Sequence, residues 1–198
     1  GAAHGELRVI FTTDEEIGNG VDGLDVESLG CDIGYTVDGG AIDEFEYENF
    51  NAADAVLTVH GIGVHPGSAK DVMVNAAAVA MEFAAMLPTD EVPEKTEGYE
   101  GFFHLHDMSG SVTEARLRYI IRDHDRAKFE ARKALFAECA AKINETYGPG
   151  TAEAVIRDSY YNMKEKIAPH PELIEHARAA FAKNGVEMRC VPIRGGTD

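Results

Sequence analysis

The run Ala52-Ala53-Asp54-Ala55-Val56-Leu57-Thr58-Val59-His60 sets the fold. Ala53, Ala55, Leu57 and Val59 alternate with Asp54, Thr58 and His60, the period-two pattern of a strand with one buried face. Downstream the period changes. Val72, Ala76, Val79, Ala80, Phe83 and Leu87 recur at helical spacing, and Pro88 stands just beyond the helix end. After a loop over 89–98 come two more strands, near 101–108 and 111–121. In the second, Ala115, Leu117, Tyr119 and Ile121 alternate with Glu114, Arg116 and Arg118. Phe129, Phe136, Cys139, Ile143 and Tyr147 then mark one face of another helix, which stops at Gly148-Pro149-Gly150. A last strand passes through Ala152, Ala154 and Ile156. The order over 52–159 is β-α-β-β-α-β, the ferredoxin-like split pattern.

On either side the reading changes to an α/β layer. Residues 6–12 and 32–37 read as short buried strands flanked by Gly-Asp turns. Segment 44–50 alternates Glu44, Glu46 and Glu48 with Phe45, Tyr47 and Asn49, as a half-exposed strand should. A third helix runs from Pro171 in its first turn to a cap at Asn184-Gly185, and 186–193 reads as a further strand. The expected organisation is a compact α+β insert over 52–159 between two pieces of an α/β domain, 1–51 and 160–198.

The chain has 198 residues, 44% of them hydrophobic, with 7 prolines, so it is expected to fold rather than remain disordered. Lys and Arg number 18 against 35 Asp and Glu, a formal net charge of -17. That balance repels phosphate backbones and anionic lipid, so neither nucleic acid nor a membrane is an expected partner. Cys31, Cys139 and Cys190 are odd in number, far apart and without metal-type spacing, which points to a reducing, cytoplasmic setting. No apolar run approaches the roughly 18 residues of a membrane helix. The chain opens at Gly1 on a polar segment and closes in a turn-like stretch. It therefore reads as a piece of a longer protein, with no signal peptide.

Chemistry concentrates where apolar runs end. Phe11-Thr12-Thr13-Asp14-Glu15-Glu16-Ile17-Gly18 closes the run Leu7, Val9, Ile10, Phe11 with three acids and a glycine turn. Ile33-Gly34-Tyr35-Thr36-Val37-Asp38-Gly39-Gly40 delivers another carboxylate in the same way. Open α/β enzymes place their sites at such strand ends. Glu15, Glu16 and Asp38 would make a hard, oxygen-rich cluster suited to divalent cations. Each motif also has a plainer reading. Asp14-Glu15-Glu16 suits the first turn of a helix, where the dipole favours acids, and Asp38-Gly39-Gly40 suits a tight turn. His65-Pro66-Gly67 reads as a loop with a surface histidine, and Arg122 as an ion-pair partner of Asp123 or Asp125. His104 and His106 would share a strand face and could chelate a metal, but no third ligand lies nearby in sequence, so they read as a solvated face. Asn162, after Tyr160-Tyr161, either touches a substrate or makes an ordinary loop contact.

Several motifs occur together and in order: Asp14-Glu15-Glu16-Ile17-Gly18, Thr36-Val37-Asp38-Gly39-Gly40, Val64-His65-Pro66-Gly67 and Ile193-Arg194-Gly195-Gly196-Thr197-Asp198. With Tyr47-Glu48-Asn49-Phe50-Asn51-Ala52, Glu97-Gly98-Tyr99-Glu100-Gly101-Phe102 and Tyr160-Tyr161-Asn162-Met163, they resemble the M20 family of di-zinc metallopeptidases over essentially the whole chain. The wording is closest to members that release the N-terminal residue from tripeptides. The resemblance implies a zinc-peptidase α/β catalytic domain interrupted by a ferredoxin-like lid that forms a homodimer. It implies Glu15 as general base, Glu16 as ligand of one zinc ion and Asp38 as ligand of a second. It also implies His65 as the group that supports the oxyanion in the partner subunit's site, with Arg122 and Arg194 holding the peptide's C-terminal carboxylate. The roles make chemical sense: zinc lowers the pKa of bound water to about 7, and a planar guanidinium matches a carboxylate.

The family's upstream His-x-Asp motif, bridging Asp and C-terminal His have no counterpart here. The resemblance therefore implies a central fragment, inactive by itself. The alternatives are a non-catalytic dimerisation and lid module, or another M20 activity such as dipeptidase, carboxypeptidase or N-deacylase.

Overall fold

The alternating run forms a ten-residue strand at the centre of a sheet. The computed structural model describes residues 4–13, 15 and 20–197. Among these the elements are α1 (Val26–Leu29), β1 (Glu44–Glu46), β2 (Asn51–His60), α2 (Ala76–Met86), β3 (Phe102–Gly110), β4 (Glu114–Asp123), α3 (Arg126–Tyr147), β5 (Ala152–Tyr160), α4 (Lys164–Ile167), α5 (Pro171–Lys183) and β6 (Arg189–Val191). They divide into two compact units, one of residues 45–169 with 190–196, the other drawn from 1–44, 170–189 and 197–198.

In the larger unit, four strands pair in the order β3-β4-β2-β5, all antiparallel. With α2 and α3 as the connections, this is the expected βαββαβ arrangement. The register runs unbroken from Asn51 opposite Asp123 to His60 opposite Glu114. Alternate residues of β2 and β4 are buried, so Ala53, Ala55, Leu57 and Val59 face the core with Ala115, Leu117, Tyr119 and Ile121. Phe83 of α2 and Phe129, Phe136 and Ile143 of α3 close that core and are fully buried. The Phe83 and Phe136 rings meet edge-to-face with centroids 4.9 Å apart. Burial of each such side chain contributes about 1.5–3 kcal/mol, and it pushes the Tyr119 phenol up to about 12.

Local chemistry sets the element ends. Asn75 caps α2, its Oδ1 accepting from Ala77 N (3.1 Å) and Ala78 N (3.3 Å), so Val72 lies outside the helix expected to include it. Residues 111–113 form the β3–β4 turn, with Ser111 N donating to Glu114 O (2.7 Å), so the expected strand begins at Glu114 rather than 111. Asp125 caps α3 through Lys128 N (2.9 Å), and Gly148 ends it at φ +107.

The smaller unit departs further from expectation. Residues 6–12 and 32–37 form no strand. A buried parallel strand needs hydrogen-bonding neighbours and cover on both faces, and Phe11 (92% exposed) and Val37 (96% exposed) find neither among the described residues. Segment 44–50, nearly all in the larger unit, is a strand only over β1, and 186–193 only over β6, the two pairing with each other. The third helix appears as α5, ended as expected at Asn184-Gly185 with Gly185 at φ +75. Within this unit Tyr35 donates to Leu173 O (2.8 Å) and Arg189 pairs with Asp43 and Glu44. No described helix is long and apolar enough to cross a membrane.

Candidate functional site

Arg122 is the penultimate residue of β4, on the sheet face opposite the helices, and Arg194 lies in the segment after β6. The fold brings them together: Arg122 Nη1 donates to Arg194 O (3.2 Å). Both guanidinium groups lie against the buried Phe50 ring, at 6.0 Å and 5.3 Å from its centroid, and Arg194 also lies 5.6 Å from that of Phe102. Their environments differ. Arg194 donates to Gly98 O (2.9 Å), Glu100 O (3.0 Å) and Thr96 Oγ1 (2.9 Å), so its donors fasten the loop 96–100. Arg122 Nε is buried with no hydrogen-bond partner, as is the Tyr160 hydroxyl, on the strand at the other side of Ala52. Burial raises the Tyr160 pKa, with Arg122 opposing.

Beside the arginines His124 is buried, its ring 4.1 Å from Phe50 and 5.0 Å from Tyr99. Its Nε2 lies 3.0 Å from Ile193 O, an acceptor only, so the neutral ring carries its proton there. Burial pushes the His124 pKa down. Beneath the pair lies a charged network in which Asp123, 1% exposed, accepts from Arg132 Nε (2.9 Å) and from Asp125 N (2.9 Å), and Arg132 also pairs with Glu91. The network borders a cleft of about 380 Å³ lined by Glu91, Tyr99, Glu100, Gly101, Asp123 and Arg132 among others. Arg122 does not pair with Asp123, because neighbouring residues of β4 point to opposite faces of the sheet.

His65 is exposed and starts a 3-10 turn over Pro66–Ser68, its Nδ1 accepting from Gly67 N (3.1 Å). In the neutral ring Nε2 then carries the proton, which suits a donor. Asp38 is exposed, and its Oδ1 accepts from Gly39 N (2.7 Å). Glu15 is exposed as well, and Glu16 lies outside the described residues. Among the described residues no three His, Cys, Asp or Glu side chains come close enough to hold a metal ion. His104 and His106 lie on the edge strand β3 at a break in its register with β4, ring centroids 6.1 Å apart.

Asn162 is 5% exposed and its amide is taken up by main chain, which favours the structural reading over substrate contact. His124 was not singled out by the sequence, Asn49 and Asn51 entered only within a motif, and Asp123 only as a partner for Arg122. The available signal was polar residues at strand ends, Asn49-Phe50-Asn51 entering β2 and Asp123-His124 leaving β4.

Comparison with known proteins places this arrangement. Residues 47–151 match the family model of the M20 peptidase dimerisation domain. Peptidase T of Staphylococcus carnosus is 54% identical over 98% of the chain, and that of Parabacteroides distasonis 55% identical over the same share. The chain spans about half the length of these curated relatives, 48% in each case. Among solved structures, the aminopeptidase PepT of Bacillus cereus superposes with a TM-score of 0.75 at 22% identity, and a tripeptidase of Staphylococcus aureus with 0.77 at 20%. Each match covers 94% of this chain and 50% of the other, and shows the shared fold. The chain belongs to the M20 peptidase family, whose dimerisation domain it carries.

Proposed function

We propose that this chain is the lid-bearing part of a cytoplasmic, zinc-dependent aminopeptidase that releases the N-terminal residue from tripeptides. The observation that carries the reading is the convergence of Arg122 and Arg194 on Phe50, from positions 72 residues apart. Two cations beside a buried aromatic wall suit a terminal carboxylate, and a short-peptide enzyme needs such an anchor at a fixed distance from its reacting centre. The two arginines divide the work. Arg122 is the carboxylate-binding cation, while Arg194 adds charge and holds the loop 96–100. Glu15 as general base, Glu16 and Asp38 as metal ligands, and His65 as oxyanion donor complete the proposal and rest on the family resemblance. Zinc as the metal rests there too, since no three-ligand cluster occurs among the described residues. The partner is a second copy of the chain, joined through the lid, a reading supported by the dimerisation-domain match. Sedimentation showing a strict monomer at micromolar concentration would overturn it.

A second reading is that the chain acts as a non-catalytic dimerisation module. It is favoured by the same match over 47–151 and by the lack of a three-ligand cluster among the described residues.

The test is Arg122→Met in a full-length enzyme carrying this sequence, assayed on a tripeptide and on its C-terminal amide. Loss of a hydrogen bond to a charged group costs about 1.5–3 kcal/mol, which corresponds to a fall in kcat/KM of roughly 10- to 150-fold on the free tripeptide. The amide should be little affected. An equal loss on both substrates, or no loss, would refute the role.

A further inference from the structure

Three buried asparagines join the chain segments behind the arginine pair. Asn51 Nδ2 donates to Asp123 O (3.0 Å) and His124 O (3.1 Å), the two carbonyls that follow Arg122, and its Oδ1 accepts from Asn162 N (3.0 Å). Asn49 Nδ2 donates to Phe50 O (3.2 Å) and Tyr161 O (3.3 Å), and its Oδ1 accepts from Met163 N (2.6 Å). Asn162 Nδ2 donates to His124 O (3.1 Å), while its Oδ1 accepts from Asn49 N (3.3 Å) and Lys164 N (2.9 Å). The three are 4%, 1% and 5% exposed at positions 49, 51 and 162, so these bonds are made away from water and fix their partners tightly.

The connections matter for Arg194 as well. Its segment is laid against the strip 48–50, with Ile193 N donating to Glu48 O (2.8 Å) and Phe50 N to Gly195 O (3.3 Å). Asn162 is thus bonded on one side to the carbonyl two residues beyond Arg122. On the other side it is bonded to the amide at the middle of the strip that holds Arg194. Two guanidinium groups near one ring repel each other, so their spacing must be held by bonds from the surrounding chain. A clasp of amides does this without adding a third charge.

We infer that Asn162 is a positioning residue that fixes Arg122 relative to Arg194 and so sets recognition of the substrate's C-terminal carboxylate. The inference rests on the carboxylate-binding reading proposed above. Asn162 touches main chain only, and its effect passes through the two arginines.

The experiment uses the full-length enzyme carrying this sequence, with Asn162→Ala and Asn162→Asp, each assayed on a tripeptide and its C-terminal amide beside Arg122→Met. Asn162→Asp keeps the acceptor for Asn49 N and Lys164 N but sets a charged oxygen against His124 O, so it strains the Arg122 side most. It also serves if Asn162→Ala does not fold. The expected result is a KM for the free tripeptide raised about tenfold, with kcat and the kinetics on the amide held within about twofold. A merely structural role would lower turnover of both substrates together, and that outcome, or an unchanged KM, overturns the inference. If Arg122→Met changes the preference for carboxylate over amide while the Asn162 variants do not, the positioning role alone fails. If Arg122→Met leaves that preference unchanged, the carboxylate reading fails and takes this inference with it.

Discussion

Gly101 sits at the entry to β3, against the end of β4, and a side chain there has nowhere to go. A Cβ would stand 2.5 Å from Arg122 O and 2.7 Å from Asp123 Cγ, and nearer still to Asp123 Oδ2. Ordinary contact begins near 3.4 Å, so backbone or carboxylate must shift by most of an ångström. Neither is a flexible side-chain end: Arg122 O belongs to the sheet, and Asp123 is held by Arg132 and Asp125 N. Overpacking alone costs about 1–3 kcal/mol, and weakening a buried ion pair adds to this, up to about 3–5 kcal/mol if the pair breaks. Gly101→Ala should therefore destabilise by about 2–5 kcal/mol. Gly98→Ala supplies the control, since its Cβ would meet nothing within 4 Å and only φ +53 penalises it, at about 1–2 kcal/mol. Urea titration of the 198-residue chain followed by circular dichroism reads both, through midpoints at unchanged slope. A Gly101→Ala midpoint equal to that of Gly98→Ala would refute the steric argument.

Two further outcomes follow from buried groups. The folded His124 pKa is lowered, chiefly by burial, with Ile193 O, Glu48 and Asp123 pulling the other way. The unfolded chain therefore binds the proton first as pH falls below about 6.5. Stability should fall by up to about 1.4 kcal/mol per pH unit until the folded ring protonates too. His124→Gln, which keeps a donor for Ile193 O, should remove that component, and an unchanged pH slope in the variant would contradict the assignment. Phe136→Ala should cost about 3–5 kcal/mol, because its ring meets both Phe83 and Tyr119 in the core; a loss under 1 kcal/mol would mean the core is not packed as described.

The βαββαβ unit was legible because its signal is local and periodic. Alternation in β2 and β4 and the helical spacing of Phe129, Phe136, Cys139 and Ile143 each follow from one buried face. Element starts were less legible, because they depend on single caps such as Asn75 and on a turn such as Ser111–Glu114. The runs 6–12 and 32–37 carry strand-like composition, but strand formation depends on neighbours, which composition does not report. At the site, Arg122 and Arg194 could be named from their motifs, whereas their different bonding could not. That depends on the loop 96–100 reaching Arg194 and on Arg122 meeting the Arg194 carbonyl. The asparagine clasp was hidden for the same reason: positions 49, 51 and 162 meet only when β2, β4 and β5 are in register.

The most direct test of the account is hydrolysis of a simple tripeptide, with zinc supplied, by the 198-residue chain and by a full-length enzyme carrying it. The account predicts release of the N-terminal residue by the full-length enzyme and none by the 198-residue chain. Turnover by the chain itself would contradict it, placing a complete site among residues assigned no role here, and failure of both to turn over would remove the tripeptidase reading.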